Sequence, residues 1–280
     1  MRHADKLRQL GLGVQLRKLR ESRGLSTRSV AKSLGVSPAS INRTELGSRS
    51  PSREEVSALC AVFGVVGDEK QELIERVGES KDNAAWLATE HVPDQVTSLM
   101  ILEREAVEIT AVELALVPGL AQTADYARLI LGSSLAPGVD LERQVATRLG
   151  RQAVLSKPRA PKVAMFLDEA VLWRTLANAR IAQEQLRHLI AVQRRDNVAI
   201  RVLPFDAVPH EGLRGSFTLY ELADGTPYVF VEARSFGVFV TETSAVQPFV
   251  EVCNGLGKHA LDATTSDDMI SAVAERLGDG

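Results

Sequence analysis

The sequence predicts an α+β protein in two parts. The first is an all-α N-terminal domain of five short helices; the second combines helices with a mainly antiparallel sheet. Three observations carry this. Over residues 1–80, apolar side chains recur at helical spacing between cap signals. After Pro158 and Pro161 the pattern turns to short β-branched and aromatic runs: KVAMFL, VAIRVLPF, SFTLYEL, YVFVEA and GVFVTE. Charge is also divided. Residues 1–53 hold 12 Lys and Arg against 3 Asp and Glu, although the whole chain of 280 residues sits at −3.

That length favours two domains, and we place them at 1–80 and 99–280 with a linker at 81–98. In the first, GVQLRKLRE stops at Gly24. STRSVAKSLG has Ser26 as N-cap and Gly35 where a left-handed turn is needed. SPASINRTEL starts at Ser37 with Pro38 in the first helical position, where its missing N–H costs nothing. SREEVSALCAVFG opens with a Ser52/Glu55 capping box, and DEKQELIERVG with acids suited to a helix N-terminus. The linker reads as irregular, with partial helix around Trp86. Beyond it LEREAVEITAVELAL reads as a helix, followed by the turn Val117-Pro118-Gly119 and helices near 122–131 and 140–155. The helix IAQEQLRHLIAVQRR separates the first two strands, and helices at 244–261 and 266–277 close the chain.

Within the basic head, small Ala31, Gly35 four residues on and Ile41 six further have the spacing of a helix-turn-helix. The second helix then presents Pro38, Ala39, Ser40, Asn42 and Arg43 outward. Pro38 and Ala39 suit a thymine methyl, Asn42 an adenine edge and Arg43 a guanine edge. Arg17, Thr27, Arg28, Arg49 and Arg53 are candidates for phosphate contacts around them. One short helix reads few base pairs, so a homodimer on a double-stranded operator is expected.

These residues resemble the XRE, lambda-repressor-like helix-turn-helix family, including its I-x-x-x-E-x-G-x-R-x-P signature as Ile41, Glu45, Gly47, Arg49 and Pro51. Thr44 departs from the larger apolar residue usual there, implying a looser core; Thr27 departs from a frequent Gln, implying a lost DNA contact. The second half, through LVPGLAQTADYARLIL, PKVAMFLDEAVLWR and PHEGLRGSFTLYEL, is similar to actinobacterial XRE regulators with an antitoxin-like C-terminal domain, the WhiJ-like group. Val112 and Leu114 depart from its pattern. The resemblance implies a transcription regulator whose C-terminal domain docks a small protein encoded by an adjacent gene. Arg214, Phe236 and Phe239 are the candidate docking residues; a small-molecule effector pocket is the alternative.

Catalysis is not expected. His210-Glu211 lies beside Arg214 among glycines, but no nucleophile has an orienting partner in sequence. His188 and His259 read as structural, and Asp168-Glu169 as the cap and first acid of a helix. Gly255/Gly257 falls in a helical pattern rather than after a strand, which excludes a nucleotide loop. Phe166, Trp173, Phe217, Tyr220, Tyr228 and Phe230 serve equally as core or as pocket wall. Cys60 and Cys253 are isolated among apolar neighbours, so neither a disulfide framework nor a metal site is expected, and no cofactor. No apolar run approaches the roughly eighteen residues of a membrane span, and the start lacks a signal-peptide core. The expected location is cytoplasmic, on the nucleoid.

Overall fold

Five helices build the N-terminal core: α1 (His3–Ser22), α2 (Thr27–Leu34), α3 (Pro38–Glu45), α4 (Arg53–Phe63) and α5 (Gly67–Glu75). The computed structural model describes residues 3–45, 47, 49–77, 86–89, 92–133, 138–232 and 237–278. The chain divides into two units, residues 1–101 with 235–242, and residues 102–234 with 243–280.

In the first unit the predicted caps are in place. Ser26 Oγ accepts from the Ser29 amide at 3.0 Å. Gly35 ends α2 at φ 66°, in the left-handed region that a residue with a Cβ disfavours. At α4, Ser52 Oγ accepts from the Glu55 amide while the Glu55 carboxylate accepts from the Ser52 amide, closing the capping box. Leu12, Leu16, Val30, Ala31, Ile41, Val56, Leu59, Cys60 and Phe63 form one buried cluster. This unit also holds β1 (Trp86–Thr89), which pairs antiparallel with β7 (Gly237–Val240). Among the described residues of the expected linker, Trp86 lies in this strand rather than in a partial helix, and α6 (Val92–Glu105) begins inside the linker range; residues 81–85, 90 and 91 lie outside the described residues.

The second unit carries β2 (Ala106–Glu113), β3 (Lys162–Asp168), β4 (Val198–Leu203), β5 (Phe217–Leu222) and β6 (Pro227–Glu232), in the order β6-β5-β2-β3-β4. Strand β2 corrects the helix expected over LEREAVEITAVELAL. Its Val107, Ile109, Thr110 and Val112 are β-branched, and Ile109, Ala111 and Val112 are buried between two neighbouring strands, which favours a strand over the expected helix. The sheet is mixed. Strand β5 is antiparallel to β2 and β6, while β2, β3 and β4 run parallel. The parallel β3–β4 pair needs a crossover, supplied by α10 (Ala179–Gln193).

Helices α7 (Ala124–Gly132), α8 (Leu141–Arg151), α9 (Glu169–Trp173), α11 (Thr243–Leu256) and α12 (Ala263–Gly278) complete this unit. The buried Gln185 amide of α10 holds the turn before α7, accepting from the Thr123 amide and donating to the Ala121 carbonyl, both at 2.7 Å. Glu103 is buried in a bidentate pair with Arg151. Phe166, Phe217, Tyr220, Tyr228 and Phe230 are buried. Trp173 is 37% exposed, with the Arg276 guanidinium 5.7 Å from its ring.

Candidate nucleic-acid interface

Position in the α3 helix separates a buried face from an exposed one. Ile41, Thr44 and Glu45 are buried. Pro38, Ala39, Asn42 and Arg43 are exposed, and at 3.6 residues per turn they span an arc of roughly 140° on the opposite side. Ser40, expected among the outward residues, is half-buried at the edge of this arc. Ser37 caps the helix, its Oγ accepting from the Ser40 amide at 3.1 Å. Ala31 and Ile41 belong to one buried cluster, and Gly35 makes the turn between α2 and α3.

What clamps α3 was not anticipated. Glu45 is buried, and an unpaired carboxylate there would be costly. Arg20, buried on α1, meets it through two nitrogens: Nε donates to Oε1 at 2.6 Å and Nη2 to Oε2 at 2.9 Å. The remaining nitrogen donates to the Leu25 carbonyl at 2.8 Å, tying α1, the turn before α2 and α3 together. The Glu45 carboxylate holds the guanidinium above its ordinary pKa. The signal was present in sequence: Glu45 lies four residues after the core residue Ile41, so it shares the inward face and requires a cation.

Gly13 is the second unanticipated contact. A Cβ at this position of α1 would stand 2.5 Å from the Thr44 carbonyl oxygen and 2.6 Å from that of Glu45. The two helices therefore touch backbone to backbone at the end of α3.

The phosphate candidates divide. Arg28 is exposed and Thr27 half-buried on the first turn of α2, where helix N–H groups lack intrahelical acceptors. The other three already have partners. Arg17 pairs with Glu21 at 2.8 Å, and Arg53 Nε donates to the Val77 carbonyl at 3.3 Å. Arg49 donates to Thr44 Oγ1 at 3.1 Å and is ion-paired with Glu55, whose pKa it depresses. The buried hydroxyl is not left without a partner, because Arg49 donates to it.

The candidate docking residues do not converge. Phe239 is 0% exposed in β7, so it is core rather than a contact surface. Phe236 lies outside the described residues. Arg214 is exposed and pairs with Glu211 at 2.7 Å. Phe205, Val208 and Leu213 are exposed apolar side chains on the same segment between β4 and β5.

Residues 96–272, more than half of the chain, match the family described as a domain of unknown function, DUF5753. The chain belongs to that family. Residues 11–73 match a helix-turn-helix domain, covering α2, the turn and α3. The N-terminal part is thus a helix-turn-helix domain on a DUF5753 chain, the organisation of a helix-turn-helix transcription-regulator family. No curated protein matches. A solved structure of TrmBL2, an archaeal chromatin protein described as showing a novel mode of DNA binding, aligns over 81% of this chain and 71% of its own at 16% identity. Its TM-score of 0.29 is too low to establish a common fold. Among the described residues no helix is long and apolar enough to cross a membrane.

Proposed function

We propose that this DUF5753 chain is a sequence-specific transcription regulator that binds its operator as a homodimer. The observation that carries the reading is the exposed Pro38, Ala39, Asn42 and Arg43 face on a helix whose other side is locked by Ile41 and the Arg20–Glu45 pair. Short side chains at the start of α3 let its backbone approach the major groove; Asn42 suits an adenine edge, donating through Nδ2 and accepting through Oδ1, and Arg43 suits bidentate donation to a guanine edge. Thr27 and Arg28 then hold phosphate beside the first turn of α2. Eight residues of recognition helix read too few base pairs alone, so two copies engage two half-sites.

In this reading the C-terminal domain docks a small protein from an adjacent gene, and docking changes DNA affinity; catalysis has no part in it. The exposed Phe205, Val208, Leu213 and Arg214 favour docking at the segment before β5, since aromatic and Arg side chains dominate contact energies. Genome-wide recovery of DNA crosslinked to the protein tests the first part. The expected result is a small set of enriched sites sharing a repeated half-site; uniform recovery overturns it. Titration of operator DNA with the adjacent gene's product tests the second, and an unchanged affinity at saturation overturns the coupling.

A further inference from the structure

Between the segment preceding β5 and helix α11 lies a cleft of about 330 Å³, at the lower end of the range of small-ligand sites. Pro248, Val252 and Leu256 form its apolar wall along one face of α11. His210 and His259 close one end, their rings stacked with centroids 5.6 Å apart and planes 25° from parallel. The Glu211 and Glu251 carboxylates also line it, and both residues are exposed. Two glycines shape it. A Cβ on Gly212 would meet Leu256 Cδ2 at 2.9 Å and His210 Nδ1 at 3.0 Å, so glycine lets this segment close against α11. At Gly255 a Cβ would have nothing within 4 Å, so the α11 side of the cleft is open where most residues would intrude.

We propose that this cleft binds a small aromatic cation, a flat ring carrying a protonated amine. The lining has two carboxylates and no Lys or Arg, so a cation is favoured over an anion. Stacked imidazoles and an aliphatic wall suit a planar ring. Burial and the neighbouring His259 push the His210 pKa below its ordinary value, while Asp168 pulls the other way, and the net shift disfavours a competing positive charge on that ring. The His210 Nδ1 atom is enclosed without a hydrogen-bond partner, so the ring does not serve a core network. Among the described residues no three His, Cys, Asp or Glu are grouped to hold a metal ion. The Glu211–Arg214 pair is exposed, which leaves that carboxylate free to exchange partners.

The test uses the full chain without DNA, so its failure is distinct from failure of the DNA-binding reading. Histidine ring resonances, assigned with His210→Gln and His259→Gln, are followed by NMR while benzylamine or benzoate is added. Benzylamine is expected to shift both resonances saturably, at about 1 mM or tighter for a fragment of this size, with benzoate at least tenfold weaker. Glu251→Gln, an exposed and conservative change, is expected to weaken benzylamine severalfold. Gly255→Leu should abolish the shifts with helix content unchanged. Absence of a saturable shift, equal binding of benzoate, or insensitivity to Glu251→Gln overturns the proposal.

Discussion

Replacing Arg20 with Met keeps much of the aliphatic stem on α1 but removes the cation facing Glu45. Two charged hydrogen bonds, at 2.6 and 2.9 Å, disappear, as does the 2.8 Å bond to the Leu25 carbonyl. The Glu45 side chain, only 6% exposed, is left charged and uncompensated. Breaking one side of such a pair costs about 3–5 kcal/mol, a large share of the roughly 5–15 kcal/mol that holds a domain folded. At about 1.4 kcal/mol per factor of ten, amide exchange through opening of this domain should accelerate on the order of a hundredfold or more. The assay is native-state hydrogen exchange at Leu59 and Cys60, both buried on α4. The double variant Arg20→Met/Glu45→Leu removes both charges and should recover most of the loss. Acceleration below about tenfold in the single variant, or no recovery in the double, would refute the clamp.

Gly13→Ala should lower the melting temperature of the helical signal. The new methyl meets two backbone carbonyls that cannot swing aside, and overpacking of about 1–3 kcal/mol outweighs the gain in helix propensity of up to about 1 kcal/mol; an unchanged melt would contradict the contact. Arg28→Ala should weaken operator and random DNA alike and reduce the salt slope by about one, whereas an effect on operator alone would argue against a phosphate role. Burial, with Glu232 adding to it against Ser216 and Arg148, pushes the Glu113 carboxyl up to about 7. A raised acid favours the folded state below its unfolded pKa, and that contribution is lost as pH rises through the folded value. Glu113 should therefore remove about 3 kcal/mol between pH ~4.5 and ~7; Glu113→Gln should flatten this part of the stability profile, and an identical slope in both proteins would sink the assignment.

The helix-turn-helix was legible because local rules and tertiary packing agree there. Ser26, Gly35, Pro38 and the Ser52/Glu55 box are short-range signals, and each is used as its residue type suggests. The pairing of Arg20 with Glu45 spans 25 positions. Only the inward position of Glu45 hints at it, and nothing local chooses Arg20 over the other basic residues of α1. Gly13 was silent for a related reason, since a helical glycine reads as a weak helix former until the neighbouring helix is in place. Strand β2 was misread because its burial between β3 and β5 depends on strands that follow it in the chain. Phe239 followed the same logic: a phenylalanine near a loop looks available until β1 pairs with its strand.

The central claim is that the exposed face of α3 reads bases. Selection of duplex DNA from a random pool by the full chain tests it most directly, repeated with Arg43→Ala. The native protein should enrich one repeated half-site. The variant should bind that site more weakly by about 1–3 kcal/mol and, on reselection, lose preference at a single base pair in each half. Enrichment of no motif by the native protein, or the same motif with undiminished preference at every position from the variant, would contradict the account.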